Sequence, residues 1–340
     1  MSRKLFGMLA FTLLLPSVAA AASADDFYKG KTVRIVVGFS AGGGFDTYAR
    51  AITRHMSKHI PGQPAIVVEN MTGAGSLIAA NHVYKVAKPD GLTIGHFIGG
   101  LFLGQVLGQA GVEFDARKFE FIGAPITDHV VCALTKASGI TSVEKWLASK
   151  TVKMGGIAPG TSTPDNATRI LKAALGLPIQ LVTGYKGTAD VRLAAESGEV
   201  SGGCWGWDSV KTTWRKAIES GDAVVVLQAN RKNHPELPQV PQAIKLAKTE
   251  DARRIIEVGI HADSDIVRTY TLPPGTPKER VQILRKAFDD TIKDPEFLAD
   301  AKKSNLSVDP VPVDEVERDI GALFKLDPAM ITKLKDILYN

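Results

Sequence analysis

The chain has few of the residue groupings that mark metalloproteins, nucleic-acid-binding proteins or hydrolases. Its 340 residues include only two cysteines and seven histidines, and no cluster of cysteine, histidine and acidic residues has the spacing of a metal site. His55 and His59 lie four residues apart but lack the glutamate of a zinc-protease motif. No G-x-S-x-G nucleophile elbow occurs, and no basic run carries interleaved aromatic residues. The sequence therefore predicts no catalytic centre, no metal or other cofactor, and no nucleic-acid partner.

The two cysteines, Cys132 and Cys204, both fall in short apolar segments that are typical of strands. In an oxidising compartment they could form a disulfide, but the sequence does not give the distance between them. The pattern favours two buried free thiols and leaves their pairing open.

A sustained apolar run opens the chain, at residues 5–15, and it is too short to span a bilayer. Arg3 and Lys4 precede this run, and residues 22–24 fit a small-residue cleavage site before Asp25. No cysteine lies at that site to carry a lipid anchor. We therefore predict that residues 1–24 are a signal peptide, that the mature chain begins within about five residues of Asp25, and that the soluble protein is exported to the periplasm.

The most informative pattern lies between Lys31 and Asp46. An apolar run at 33–37 is typical of a strand covered on both faces, and the glycine-rich residues 39–44 interrupt it. Asp46 and Thr47 are placed to cap a helix whose apolar residues recur every three or four positions. Together these features favour an anion site, because free backbone N–H groups and the helix dipole both stabilise negative charge. A tight turn without a ligand is the alternative.

This glycine-rich loop does not match the nucleotide-binding motifs. Residues 42–44 are not followed by the remaining glycine of a dinucleotide fingerprint, and no lysine between Lys31 and Lys58 could complete a P-loop. Asp46 would also repel a polyphosphate. A carboxylate that carries a hydroxyl or an amine fits better, with the N–H groups binding the carboxylate and Asp46 accepting from the second group.

Similar loops follow other predicted strands, at 69–76, 157–165, 184–188 and 205–208. Strands that alternate with helices in this way predict an α/β fold with parallel sheets, in which ligands bind outside the carboxyl ends of the strands. A second series of strands and helices begins near residue 126. For Trp205 and Trp207, packing in the core is the alternative to a role in the site.

Several motifs, in one order along the chain, resemble those of the tripartite tricarboxylate transporter solute-binding receptors of the Bug type. They cover essentially the whole mature chain and lie at 27–50, 67–76, 88–93, 185–188, 208–209 and 272–277. The resemblance implies a type II periplasmic-binding-protein fold, in which two α/β lobes are joined by a two-crossover hinge and hold the ligand between them. Lobe 1 would comprise residues 25–125 and 230–340, and lobe 2 residues 126–229.

The resemblance also implies that loops from both lobes grip the ligand's carboxylate, partly through ordered water. These loops are 39–46 and 74–76 in lobe 1 and 157–163 in lobe 2. The family's lobe 2 loop reads Gly-x-Gly-Ser-x-x-His, whereas this chain keeps Ser162 but has a proline and a threonine for the glycines and Asp165 for the histidine. The two tryptophans before Asp208 also depart from the family pattern.

The candidate ligand-binding residues follow from these loops. They are Phe39, Ser40, Ala41, Gly42, Gly43, Gly44, Phe45, Asp46, Ala74, Gly75, Ser76, Pro159, Gly160, Thr161, Ser162, Thr163, Asp165, Trp205 and Asp208. If backbone N–H groups of the first loop and the hydroxyls of Ser162 and Thr163 hold the carboxylate, oriented neutral dipoles stabilise it and no arginine is required.

The sequence thus predicts a monomeric periplasmic receptor that captures a small organic carboxylate and delivers it to integral membrane permease subunits. One alternative is a ligand-sensing partner of a membrane sensor kinase, which would share the fold. Another is a secreted enzyme acting on a carboxylated substrate, with Asp46, Asp165 or Asp208 as acid or base. The enzyme alternative lacks a matched nucleophile or metal set.

Overall fold

The computed structural model describes residues 27–339. The predicted signal peptide and its cleavage point lie outside these residues. Within the described range, no helix is both long and apolar enough to cross a membrane.

Residues 27–339 form two five-stranded sheets flanked by helices. The strands are β1 (Thr32–Val37), β2 (Ala65–Asn70), β3 (Thr93–His96), β4 (Glu120–Gly123), β5 (Val130–Thr135), β6 (Val152–Gly155), β7 (Ile179–Val182), β8 (Gly202–Gly206), β9 (Ala223–Gln228) and β10 (Tyr270–Leu272). The first sheet has the order β2-β1-β3-β10-β4, and the second has the order β7-β6-β8-β5-β9. The strand order therefore passes from the first sheet to the second after β4 and returns after β9.

Helices connect the strands and cover the sheets. They are α1 (Gly44–Met56), α2 (Leu77–Lys85), α3 (Gly100–Val106), α4 (Val143–Leu147), α5 (Thr163–Leu175), α6 (Thr188–Glu196), α7 (Trp207–Ser220), α8 (Ala243–Leu246), α9 (Glu250–Ile256), α10 (Lys278–Lys293), α11 (Pro295–Lys303), α12 (Val313–Leu323) and α13 (Pro328–Tyr339). A single π-helical turn, Glu257–His261, follows α9.

Strand β1 lies inside the first sheet and pairs in parallel with β2 on one side and β3 on the other. Its apolar residues Val33, Ile35, Val36 and Val37 are fully buried. This burial fits the nearly continuous apolar run, because a parallel strand with helices on both faces has no solvent-facing side.

Each sheet also contains one strand that runs against its neighbours. In the first sheet β10 is antiparallel to β3 and β4, and in the second β5 is antiparallel to β8 and β9. The prediction of wholly parallel sheets is therefore wrong for these two strands. Each is the first strand after the chain passes from one sheet to the other. It therefore does not follow a crossover helix from a neighbouring strand of the same sheet, which is the connection that parallel neighbours need.

The helices of the carboxyl-terminal segment divide between the two sheets. Helix α10 packs on α1 and β4, and α11 packs on α1, whereas α9 and α13 both pack on α5 beside the second sheet. The segment after β9 therefore contacts both halves of the molecule.

Cys132 and Cys204 form a disulfide, so the preference for two free thiols is wrong. They lie directly opposite each other on the antiparallel strands β5 and β8, with their Cα atoms 4.0 Å apart. The sequence did not reveal this proximity because 72 positions separate the two cysteines and their strands become neighbours only when the sheet forms.

We predict that replacing both cysteines, as Cys132→Ala with Cys204→Ala, lowers the free energy of unfolding by roughly 2–4 kcal/mol. The disulfide restricts the unfolded chain by closing a long loop, and the double variant loses that restriction. Urea denaturation of the oxidised wild type, the reduced wild type and the double variant measures the difference. If the oxidised, denatured wild type still reacts with two equivalents of a thiol reagent, the disulfide assignment is wrong.

Candidate functional site

Strand ends from both sheets meet at a small, partly open cavity. Strands β1, β3, β6 and β8 end at this cavity, and the antiparallel strands β5 and β10 begin at it. Its walls come from the segments at these strand ends and from the first residues of the following helices. The lining residues are Phe39, Gly43, Gly44, Phe45, Ile98, Asp128, Ile157, Thr163, Pro164, Thr188, Trp205, Gly206, Ser209 and Arg268.

The cavity has a volume of about 20 Å³, which is room for about one water molecule. The two halves of the molecule are therefore in a closed arrangement. An organic ligand with several non-hydrogen atoms can enter only when they separate.

Glycines allow the two halves to approach this closely. A Cβ atom on Gly44 would lie 2.0 Å from Ser209 Oγ, and one on Gly75 would lie 2.1 Å from Thr161 Oγ1. Both contacts join the first-sheet loops to the second-sheet loops. A hydrogen bond from Ser40 Oγ to Asp190 Oδ2, 3.0 Å long, adds a polar contact across the same boundary.

Asp46 holds the first glycine-rich loop closed on itself. Its carboxylate accepts from the Gly42 backbone N–H at 2.9 Å, from Arg50 Nε at 2.8 Å and from Asn70 Nδ2 at 3.0 Å. Burial raises the pKa of Asp46, but the hydrogen bonds from these three groups outweigh it and keep the pKa below its ordinary value. Helix α1 begins at Gly44 with no side-chain cap, so the predicted cap by Asp46 or Thr47 is wrong. The carboxylate stabilises the loop before the helix.

Asp165 does the same for the loop after β6. Its Oδ2 accepts from the backbone N–H groups of Ile157 at 2.6 Å and Ala158 at 2.9 Å, and from the Ser162 hydroxyl at 2.6 Å. Burial raises the pKa of Asp165 although these hydrogen bonds oppose the rise. The side chain of Ser162 is therefore occupied within its own loop, whereas its neighbour Thr163 lines the cavity.

The strand β8 and the start of α7 supply a further wall. Trp205 is buried, lines the cavity and stacks on Trp214, with ring centroids 5.9 Å apart. Asp208 is fully buried beside it, and its Oδ1 accepts from the Ser307 backbone N–H at 2.8 Å. Asp208 thus joins α7 to the carboxyl-terminal segment, and it does not line the cavity.

A fully buried arginine is the principal cation of the site. Arg268, just before β10, donates from Nη2 to Ser209 Oγ at 2.7 Å and lies 3.3 Å from Asp128 Oδ2. Its Nε and Nη1 atoms are buried and have no hydrogen-bond partner among the described residues. Burial raises the pKa of Asp128, and the charge of Arg268 only partly offsets the rise.

Asp263 lies beside the cavity wall, against Thr163. Its Oδ2 accepts from the Thr163 hydroxyl at 3.4 Å, and its Oδ1 is buried without a partner among the described residues. Burial, reinforced by the charge of Asp128, raises the pKa of Asp263 to about 7. Its carboxyl group therefore titrates near neutral pH.

The predicted site residues divide into those in the cavity wall and those behind it. Phe39, Gly43, Gly44, Phe45, Thr163 and Trp205 line the cavity. Ser40, Ala41, Gly42, Asp46, Ala74, Gly75, Ser76, Pro159, Gly160, Thr161, Ser162, Asp165 and Asp208 are not in its wall. Most of the second set support the loops or form the contact between the two halves.

The sequence analysis missed Asp128, Thr188, Ser209 and Arg268 and assigned no arginine to the site. Thr188 and Ser209 follow predicted strands within motifs that the sequence analysis had noted. Asp128 and Arg268 precede strands, and a search at the carboxyl ends of parallel strands does not reach them.

One group of described residues has donor atoms close enough for a metal ion, namely His55, Asp294 and Glu296. It lies away from the cavity, and Lys58 Nζ is 2.5 Å from Asp294 Oδ2 and 2.6 Å from Glu296 Oε2. The lysine ammonium already supplies the positive charge there.

The sequence model of a protein family described as "Tripartite tricarboxylate transporter family receptor" matches residues 48–320. A UPF0065 protein of Agrobacterium vitis, from the TAR-I ttuE-ttuC' intergenic region, is 29% identical over 312 residues, which are 87% of this chain and 80% of that protein.

Solved structures of periplasmic binding proteins have the same fold. BugD aligns with a TM-score of 0.71 at 24% identity, over 91% of this chain and 98% of its own. The MatC protein of Rhodopseudomonas palustris, with bound malate, aligns with a TM-score of 0.70 at 21% identity, over 91% of this chain and 99% of the MatC chain. These likenesses confirm the predicted two-lobed α/β periplasmic-binding-protein fold.

We predict that Asp263→Asn flattens the pH dependence of stability between about pH 4 and pH 7. The folded protein holds the Asp263 proton more tightly than the unfolded chain does, so its contribution to stability is full below pH 4 and is lost as the pH rises through 7. The loss in the wild type is at most roughly 4 kcal/mol. Urea denaturation at several pH values measures it.

The exposed Asp289 provides the control, since Asp289→Asn should leave the wild-type pH dependence in place. If the stability of Asp263→Asn depends on pH as that of the wild type does, the raised pKa of Asp263 is contradicted.

Proposed function

This chain belongs to the tripartite tricarboxylate transporter family of receptors, and we propose that it captures a small organic carboxylate between its lobes and delivers it to integral membrane permease subunits. Family membership makes the protein a solute-binding receptor, so the alternative of a secreted enzyme is rejected. We place it in the periplasm, in keeping with its family and with the predicted signal peptide, and we infer that it acts as a monomer.

The convergence of four helix starts on the cavity is the observation that carries this proposal. Helices α1, α5 and α6 begin at the lining residues Gly44, Thr163 and Thr188, and Ser209 lies in the first turn of α7. Each of these amino termini carries a partial positive charge and backbone N–H groups that no helical carbonyl satisfies. Each of the four also carries an aspartate in its first turn, which offsets part of this charge. The backbone N–H donors around one cavity, together with Arg268, favour an anion.

Capture requires the lobes to open and close, because the closed cavity holds about one water molecule. We assign residues 25–125 and 230–340 to lobe 1 and residues 126–229 to lobe 2, so that each sheet belongs to one lobe. Helices α9 and α13 belong to lobe 1 by this division but pack on α5 of lobe 2. Opening must therefore carry these helices with lobe 2 or separate them from it.

The bound malate of the MatC protein supports a carboxylate as the class of ligand, since that neighbour has the same fold. The ligand would fill the space between the loops when the lobes separate. Delivery to a permease rests on the family, whose description names a transporter.

We predict that the purified receptor binds an organic carboxylate without turning it over. A thermal-shift panel of benzoate, malate, adipate and citrate tests the binding. A ligand at about 100 times its dissociation constant adds about 2.7 kcal/mol to the free energy of unfolding, which raises the melting temperature measurably. Neutral amides of the same acids are the control. If no carboxylate raises the melting temperature, the proposal is wrong.

We also predict that Gly44→Ala prevents closure. The added methyl group would meet the Ser209 hydroxyl at 2.0 Å and the Ser209 Cα atom at 3.0 Å, so the lobes cannot come together as they do here. Overpacking of this kind costs typically 1–3 kcal/mol, or about ten- to a hundredfold in affinity. Solution scattering should show the wild type becoming more compact with ligand while the variant stays open.

Gly321→Ala, in helix α12 and outside the cavity wall, is the control, since its methyl group would meet no atom within 4 Å. It should bind close to wild-type affinity. Equal closure by Gly44→Ala and the wild type would contradict the role of this contact.

A further inference from the structure

Arg268 has hydrogen-bonding capacity that the described residues leave unused. Of its three guanidinium nitrogens, Nη2 donates to Ser209 and Asp128, while Nε and Nη1 are buried without an acceptor. A buried donor without a partner destabilises the protein, and native structures rarely leave one in this state. Because Arg268 lines the cavity, an anionic oxygen placed there can accept from it, and hydrogen bonds between charged groups are the strong ones.

The remaining walls of the cavity are mainly apolar and partly aromatic. Phe39 and Phe45 lie against each other with ring centroids 4.7 Å apart, and Trp205 lies in the wall from the other lobe. Ile98, Ile157 and Pro164 complete the apolar surface. A ligand body that buries apolar area gains free energy here, and aromatic rings favour offset or edge contacts with another ring.

The charges in the wall set a limit on the charge of the ligand. Arg268 and Asp128 are the ionisable side chains among the lining residues, and they form an ion pair with each other. The guanidinium of Arg268 lies over the Phe45 and Tyr48 rings, and its unpaired Nε and Nη1 atoms, together with the helix starts, can stabilise one carboxylate. A second carboxylate would be removed from water against apolar side chains or near Asp128, which is costly without a partner cation.

From these three features, and resting on the proposed function, we infer that the ligand is a monocarboxylate with an apolar, aromatic body. Its carboxylate pairs with Arg268, and its ring lies between the phenylalanines of lobe 1 and Trp205 of lobe 2. Arg268 is then the residue that selects for the charge of the ligand. A neutral isostere or a dicarboxylate of similar size binds less well.

The wild-type protein alone tests this inference. Isothermal titration compares four ligands. Benzoate, benzamide and terephthalate share an aromatic ring and carry one, no and two carboxylates, respectively, and malate is an aliphatic dicarboxylate. We expect benzoate to bind most tightly, with benzamide weaker by about ten- to a hundredfold, the range for a hydrogen bond to a charged group. Terephthalate and malate should be weaker than benzoate by at least about tenfold.

A variant then tests the role of Arg268. In Arg268→Gln, the preference for benzoate over benzamide should fall by about tenfold or more, because the charged group that distinguishes them is gone and only the helix starts remain. A purely structural role for Arg268 would weaken both ligands together and keep their ratio. Arg285→Gln is the control, since Arg285 donates to the Phe121 carbonyl and lies outside the cavity wall. If Arg268→Gln does not fold, the affinities of the wild-type protein for the four ligands still test whether the ligand is an aromatic monocarboxylate.

The outcomes separate this inference from the proposed function. If malate or terephthalate binds saturably and with higher affinity than benzoate, the proposed receptor function stands and the inference about the ligand is overturned. An unchanged benzoate-to-benzamide ratio in Arg268→Gln also overturns it. The failure of every carboxylate to bind overturns the proposed function itself.

Discussion

The buried guanidinium of Arg268 is the constraint on which the cavity depends. A cation removed from water needs nearby negative charge and hydrogen-bond acceptors, and Arg268 has one counter-ion, Asp128, and one hydroxyl, Ser209. Asp128 and Arg268 lie at the starts of β5 and β10, and Ser209 lies at the start of α7. The arrangement therefore requires both sheets to be in place and the lobes to be closed. Four helix starts also meet the cavity, and each carries an aspartate in its first turn, so the unpaired donors of Arg268 are what an anion would satisfy.

The parts of this site that follow parallel strands could be predicted from the sequence, and the parts that precede antiparallel strands could not. Phe39, Gly43, Gly44 and Phe45 were found because a glycine-rich loop after an apolar strand is a local pattern. Asp128 and Arg268 lie before strands whose direction depends on how the chain passes between the two sheets. That direction is a property of the assembled fold, and no local pattern around either residue indicates it.

The aspartates show a second limit of sequence interpretation. Asp46 and Asp165 each follow a loop at the start of a helix, where a carboxylate can serve either a ligand or the loop itself. In both cases the carboxylate accepts backbone N–H groups of its own loop. The loops and the helices that follow them were predicted, but the direction of the Asp46 side chain also depends on Asn70 of β2, which only the assembled sheet brings close. The same device therefore stabilises one loop in each lobe.

The last described helix, α13, ends beside the lobe 2 loop. Helix α13 packs on α5, and the ring of Tyr339 lies so close to Gly160 that a Cβ atom there would be 2.0 Å from it. Gly160 belongs to the loop that leads into the cavity-lining Thr163. A fluorescent dye attached near Tyr339 would therefore sit beside this loop, which makes that position one to try for an optical sensor of the ligand and an unsuitable one for a bulky purification tag.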